Sequence, residues 1–198
     1  MVESTTQTHG GVLPGLVRSA LDCAGVGWDA LDGLAVSIGP GSFTGLRIGL
    51  SLAKGIAFAG ALPIAAVPTL EALAWAADAA PGDVVWAVLD ARMREVYAAS
   101  FERTATGLMR RTPDEALPPA ALAPRLDASA VVVGDAVAAY PELAAGGARA
   151  LSFATHHPHG GIVARLGAAI LAAGGGADVG TLEPAYVRAS QAELARRS

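Results

Sequence analysis

The residues best able to do chemistry stand in the glycine turn Gly39-Pro40-Gly41-Ser42. Glycine turns before helices often bind phosphate through backbone amides. The two specific phosphate motifs do not fit. A P-loop requires Lys and then Ser or Thr after its last glycine, but Leu46-Arg47 follows Gly45 here. A dinucleotide turn requires a third glycine where Thr44 stands. A weak anion site and a purely structural turn both remain open.

Ser42 is a poor candidate for a hydrolase nucleophile. A nucleophile elbow requires glycine two residues before and two residues after the serine, and those positions hold Pro40 and Thr44. Serine is also a preferred residue at the start of a helix, where its hydroxyl accepts a backbone N–H. We therefore predict that Gly39 and Gly41 shape the turn and that Ser42 caps the following helix.

Two further groups of polar residues are candidates for catalytic or metal sites. His156, His157 and His159 surround Pro158 and lack the His-Glu-x-x-His spacing of a zinc helix, which favours a solvated loop. Asp90, Arg92 and Glu95 flank a predicted hairpin and are either a catalytic group or a charged turn. No catalytic residue and no metal ligand is predicted, and we expect no cofactor bound by the chain itself.

The composition narrows the class of protein. Hydrophobic residues make up 53% of the 198 residues and charged residues 16%, which excludes general disorder. The net charge is −4 and Lys54 is the one lysine, so no basic face for a nucleic acid is visible, and any contact with nucleic acid is expected to be indirect. No apolar run reaches the ~20 residues of a membrane span, no signal peptide is visible, and there is one cysteine. A cytoplasmic location is expected.

The hydrophobic periodicity predicts an α/β protein. Helices are expected over residues 10–24, 43–59, 69–80, 135–144 and 162–173, with Thr69 and Asp135 as the caps of the third and fourth. Strands are expected over 34–38, 62–67, 83–89, 95–101, 130–133 and 149–153, and residues 104–129 read as irregular.

Two of these helices carry more apolar surface than one contact can bury. In the segment 43–59, residues that fall on one face are small or apolar: Gly45, Ile48, Gly49, Leu52, Ala53 and Ile56. A second apolar face carries Leu46, Leu50 and Ala57, and a polar strip carries Arg47, Ser51 and Lys54. The segment 10–24 has a matching stripe, which includes Leu13, Leu16, Val17 and Ala20. A glycine inside a helix costs about 1 kcal/mol relative to alanine, so close packing is expected at these positions. Burial in the chain's own core and contact with a partner both remain open.

The chain resembles the TsaB family, also called YeaZ. The run from Gly39 to Gly49, with Ala53-Lys54-Gly55, resembles the signature of that family. Shorter matches follow in the family's order: Leu70-Glu71-Ala72-Leu73-Ala74, Asp90-Ala91-Arg92, Glu95-Val96-Tyr97, Gly134-Asp135 and Pro184-x-Tyr186-x-Arg188. His9, ahead of the first helix, also fits.

The resemblance implies an actin-like ATPase fold with two lobes and no nucleotide chemistry of its own. It implies a scaffold subunit that pairs with the catalytic subunit TsaD through a helical bundle, with TsaE joining the complex. ATP and metal are expected on those partners. The complex would place threonylcarbamoyl on the tRNA adenosine beside the anticodon. The bundle helices match residues 10–24 and 43–59, and the same faces can pair two copies of the chain. An enzymatic role, as a small ATPase or a metallopeptidase of the glycoprotease type, is the alternative.

The N-terminus departs from the family pattern. The family opens with a strand carrying Ile-Asp-Thr and a hairpin, and this sequence starts at about the end of that hairpin, with Val2 to Thr8. Roughly thirty residues are expected to be missing, from the length of two or three strands and their turns. We therefore expect an incomplete N-terminal lobe over residues 1–80 and a C-terminal lobe over residues 81–198.

Overall fold

A computed structural model of the chain describes residues 9–187, with side chains described from residue 11 onward. The expected hairpin end at Val2 to Thr8 lies outside the described residues. The helices are α1 (His9–Ala24), α2 (Phe43–Gly60), α3 (Thr69–Trp75), α4 (Pro119–Leu122), α5 (Ala136–Ala139) and α6 (Gly160–Ala172). The strands are β1 (Leu34–Gly39), β2 (Ile64–Pro68), β3 (Val84–Arg92), β4 (Glu95–Arg103), β5 (Leu108–Arg110), β6 (Glu115–Leu117), β7 (Ala130–Val133) and β8 (Arg149–Leu151).

The chain forms two compact units, and the first is discontinuous in sequence. It comprises the described residues up to Ile38, Ser42–Val67 and Ala164–Pro184, and the second comprises Gly39–Gly41, Pro68–Val163 and the described residues from Ala185. This division differs from the single boundary after residue 80 that we expected from the sequence. Residues 164–184 belong to the first unit because Ala177 donates to the carbonyl of Ile64 and Leu182 enters the same apolar cluster.

The first unit contains α1, α2 and the hydrogen-bonded pair β1–β2. Its core is formed by one side of α2 and by apolar side chains of the two strands. Leu50, Ala57, Ile64 and Leu182 are its buried members. No residue between Leu34 and Ile38 is fully buried. The burial of this unit is therefore concentrated beneath α2 and along β2.

The second unit is built on a sheet in the order β5-β4-β3-β7-β8, with β6 also pairing with β4. β3 runs antiparallel to β4 and parallel to β7, which runs parallel to β8. All four residues of β7 are buried, as expected for a central strand covered on both faces. No helix within the described residues is long and apolar enough to cross a membrane.

Several local predictions were wrong. The segment 104–129 was predicted to be irregular, but it contains β5, β6 and α4, because its short strands pair with β4. The third helix ends at Trp75 and not near residue 80. The hydroxyl of Thr69 does not cap that helix, since it accepts the backbone N–H of Gly39. The predicted helix over 135–144 is one turn of α-helix followed by a 3₁₀ turn at Pro141–Ala144.

Gly134 is required where β7 turns toward α5. Its φ is 140°, a region that side chains rarely adopt, and a Cβ atom there would collide with the carbonyl oxygen of Val88. The backbone of β3 therefore approaches Gly134 too closely for any other residue.

We predict that Gly134→Ala lowers the free energy of unfolding by about 3 kcal/mol, because it combines a steric collision with an unfavourable φ. Gly82→Ala is the matched control, since Gly82 has a φ of 96° and no described atom within 4 Å of the added Cβ. The control should lose about 1 kcal/mol from its conformation alone. Urea unfolding followed by circular dichroism measures both, and equal losses would contradict the proposed collision.

Candidate functional site

The glycine turn starts α2 in the way that the sequence predicts. The hydroxyl oxygen of Ser42 accepts the backbone N–H of Gly45 at 3.3 Å, so Ser42 caps the helix. Arg47 lies over the ring of Phe43, with Cζ 3.9 Å from the ring centroid. The helix ends one residue later than predicted, because Ala61 adopts the left-handed conformation and Gly60 remains helical.

One side of α2 is fixed to the core of the first unit. Leu50 and Ala57 are buried there, as the apolar pattern predicts. The ammonium of Lys54 donates to the carbonyl oxygens of Gly180 and Leu182, at 3.2 Å and 3.0 Å. These bonds hold the returning segment along the helix, so the single lysine of the chain serves the fold.

Other described residues cover the rest of the α2 surface only in part, and the same is true of α1. The two helices pack against each other. None of the predicted partner-binding residues is fully buried. Leu13, Val17, Gly45, Ile48, Gly49, Leu52, Ala53 and Ile56 are half-buried, and Leu16 and Ala20 are exposed. Ala53 also packs against the core cluster of the first unit. We call the outward surface of these two helices the α1–α2 face.

Two glycines of α2 face open space. A Cβ atom added to Gly49 or to Gly55 would meet no described atom within 4 Å. Gly45 differs, since a Cβ there would lie 3.4 Å from the Ser42 side chain. Gly167 in α6 is closely packed, because a Cβ there would collide with Ala35. Packing within the described chain therefore explains Gly167 and does not explain Gly49 or Gly55.

An open, mostly apolar groove of about 480 Å³ lies beside α2. Its full lining is Trp28, Ser51, Leu52, Gly55, Ile56, Ala59, Gly60 and Leu62. It contains no charged side chain, so it fits an apolar surface better than a charged ligand.

Exposed large apolar side chains gather in the same part of the sequence. Phe58 is 83% exposed and Leu16 is 54% exposed, and Val26, Trp28 and Phe43 also lie on the surface. We did not predict Trp28, Phe43 or Phe58 as site residues. The signal for Phe58 was available, because it lies on the polar strip of α2, seven residues after Ser51 and four after Lys54.

The candidate catalytic groups do not form a metal or nucleophile site in the described part of the chain. No group of three or more His, Cys, Asp or Glu side chains between residues 9 and 187 is arranged to hold a metal ion. The rings of His157 and His159 are 6.0 Å apart, and His156 contacts the carbonyl of Ser152. Asp135 does not cap α5 as predicted, because its carboxylate accepts the N–H of Asp90 at 2.8 Å.

The chain is similar to known proteins in both sequence and structure. The profile of the family described as TsaD, tRNA N6-adenosine threonylcarbamoyltransferase, matches residues 3–156. The crystal structure of a Pseudomonas aeruginosa protein with similarity to peptidase YeaZ superposes with a TM-score of 0.80 and 33% identity, covering 94% of this chain and 87% of that one. The chain belongs to the TsaB/YeaZ family. The actin-like fold class predicted from the sequence is confirmed.

Curated TsaB relatives support the same assignment. The tRNA threonylcarbamoyladenosine biosynthesis protein TsaB of Escherichia coli is 38% identical over 137 residues, which are 67% of this chain and 59% of the relative. TsaB of Haemophilus influenzae is 38% identical over 102 residues, which are 51% of this chain and 43% of the relative. The chain therefore matches about half the length of these TsaB proteins.

We predict that Gly49→Ala and Gly55→Ala each raise the free energy of unfolding by about 1 kcal/mol, because alanine is the better helix former and nothing obstructs its methyl group. Gly167→Ala is the control and should be destabilising, since its methyl group collides with Ala35. Thermal unfolding of the isolated chain measures all three variants. A loss of stability in Gly49→Ala would mean that α2 is covered on that side.

Proposed function

We propose that this TsaB-family chain is a non-catalytic subunit that binds TsaD through the α1–α2 face. In this role it supports TsaD in forming N6-threonylcarbamoyladenosine in tRNA, next to the anticodon. TsaE joins through the complex, and ATP and metal are bound by the partner subunits. The observation that carries the proposal is the exposed apolar α1–α2 face, with Gly49 and Gly55 open at its surface.

The chemistry of this face suits a protein partner. Large contiguous apolar surfaces on soluble proteins mark interaction sites, and aromatic residues are enriched at the centres of such interfaces. Trp28 lines the groove beside α2, and Leu16 is an exposed apolar side chain of α1. The open glycines allow a second helix to approach α2 closely, which increases the apolar area that contact removes from water.

TsaD is the partner that the comparisons favour. The TsaD family profile matches residues 3–156, so TsaD carries a related version of the same fold. Two related folds can present corresponding surfaces to each other about an approximate two-fold axis, as identical subunits do in symmetric dimers. The relatives named TsaB are described as biosynthesis proteins of the same modified nucleoside that TsaD forms.

The charge of the chain supports an indirect contact with tRNA. Its net charge is −4, whereas binding to the phosphate backbone depends on neutralisation by basic groups. The single lysine, Lys54, donates to backbone carbonyls of its own chain. Recognition of tRNA is therefore assigned to the partner.

We predict that Gly49→Leu weakens binding to TsaD at least 100-fold, because a leucine side chain prevents close helix contact. Titration calorimetry of the purified chain with TsaD measures the affinity. Gly160→Leu is the control, since Gly160 begins α6 with no described atom within 4 Å of an added Cβ, and it lies outside the proposed face. Undiminished affinity of the Gly49 variant, with its fold retained, would rule out this face as the contact.

We also predict that the chain self-associates through the same face when TsaD is absent. Sedimentation velocity should show a dimer whose population falls on addition of TsaD, since both assemblies use one surface. Leu16→Ser should shift the free chain toward the monomer by removing an exposed apolar side chain from that surface. Dimers that persist unchanged in saturating TsaD would contradict a shared surface.

A further inference from the structure

The segment that returns to the first unit after α6 has little regular structure. Over residues 177–182 it forms one bridge to β2 and then a turn. In the bridge, the backbone N–H of Ala177 donates to the carbonyl oxygen of Ile64 at 2.8 Å. In the turn, the N–H of Leu182 donates to the carbonyl oxygen of Asp178 at 2.9 Å. We call residues 177–182 the strap.

The strap covers part of the apolar core of the first unit. Leu182 is buried, and Ala177 and Val179 pack against the same cluster, which includes Leu50 and Ala57 of α2. The other three residues of the strap are exposed. A segment with few buried contacts and little regular structure opens locally at a low free energy. Any further bond to the strap therefore has a large effect on how often it opens.

Lys54 supplies two such bonds from α2. Its ammonium donates to the carbonyl oxygens of Gly180 and Leu182, at 3.2 Å and 3.0 Å. Both acceptors are backbone carbonyls, so the two bonds require two donors on one nitrogen. An ammonium has three N–H donors, and hydrogen bonds from a charged donor are stronger than those from a neutral one. Lys54 therefore joins the middle and the end of the strap to α2.

Acylation of the Lys54 nitrogen removes the property that these bonds require. The amine attacks the carbonyl carbon of an acyl phosphate or an acyl thioester, and a C–N bond forms as the C–O or C–S bond breaks. The leaving group takes the electron pair, and a proton of the amine passes to water. The product is a neutral amide with one N–H donor in place of three. It can donate to at most one of the two carbonyls.

We propose that Lys54 is an acylation site, and that transfer of an activated acyl group to its nitrogen releases the strap from α2. Lys54 is the single lysine of the chain, so lysine-directed acylation acts at this position. Its side chain is half-buried, and its bond to Gly180 lies in exposed surroundings. The nitrogen is nucleophilic only after it has lost a proton and left the two carbonyls. The reaction therefore occurs while the strap is open, and the neutral product cannot restore both bonds.

This inference goes beyond the proposed scaffold role and does not depend on it. The strap covers the side of α2 that carries Leu50 and Ala57. TsaD is proposed to bind the α1–α2 face, to which Lys54 was not assigned. A chain that fails to bind TsaD therefore leaves the acylation of Lys54 standing as a separate question with its own measurement.

Mass spectrometry and hydrogen exchange on the whole chain test the proposal. Incubation with acetyl phosphate or with acetyl-coenzyme A should place an acetyl group on Lys54, and the two reagents distinguish an acyl phosphate donor from an acyl thioester donor. In the acetylated chain the backbone amides of the strap, including that of Ala177, should exchange at least about tenfold faster, because a bond to a charged group contributes at least this factor. The amides of β7 should exchange at their original rate.

Two substitutions of Lys54 separate the loss of charge from the loss of lysine. Lys54→Gln resembles the neutral acylated side chain and should reproduce the faster exchange of the strap without any reagent. Lys54→Arg is the matched control, because arginine keeps the charge and several N–H donors, and its strap should exchange at close to the original rate.

A third variant tests whether the reaction requires an open strap. Leu182→Ala loosens the strap from its buried end and should raise the rate of acetylation at Lys54 at least about tenfold. Leu143→Ala is the control, since it removes a buried leucine from the second unit and should leave that rate unchanged.

Four results would overturn the proposal. They are a Lys54 that neither reagent acetylates while the N-terminal amine reacts, strap amides that exchange at the original rate after acetylation or in Lys54→Gln, an acceleration at β7 equal to that at the strap, and equal acetylation rates in Leu182→Ala and Leu143→Ala.

Discussion

The organisation of the first unit depends on one constraint: α2 is apolar around most of its circumference. A helix of this kind has to be covered on more than one side. The strands β1 and β2 and the returning segment at Leu182 cover the side that carries Leu50 and Ala57. α1 packs on another part of the helix, but α1 has no fully buried described side chain of its own. The pair therefore keeps an apolar outer surface, which an assembly with another chain would remove from water.

The second unit buries its own hydrophobic side chains more completely. Apolar clusters lie on both faces of its sheet, and β3 and β7 are buried between them. Its charged side chains mostly serve the fold. Arg125 pairs with Glu115 through two hydrogen bonds, lies over the Trp86 ring and holds the pKa of Glu115 below its usual value. The turn between β3 and β4 differs, because Arg92, Met93 and Arg94 have positive φ values, which residues other than glycine disfavour.

Features that depend on residues close together in the sequence were predicted, and features that depend on distant residues were not. Periodicity located α1, α2, β3, β4 and β7, and the Ser42 cap followed from the local residue types. The strands within 104–129 were missed because they exist through pairing with β4 and have little periodicity of their own. The roles of Thr69 and Asp135 were missed for a similar reason. Each side chain bonds to a backbone N–H that is distant in sequence, at Gly39 and Asp90, and so does not cap its own helix.

The glycines of α2 link the sequence to the proposed assembly. In a helix interior each glycine costs about 1 kcal/mol relative to alanine, so a tight contact is the usual reason for its presence. Gly167 has such a contact with Ala35, inside the first unit. Gly49 and Gly55 have no described neighbour that a methyl group would touch, although both lie in the middle of an 18-residue helix. The chain therefore gives up stability at two positions where the packing of its described residues gains nothing, and this is the reason for proposing that a helix from another chain packs there.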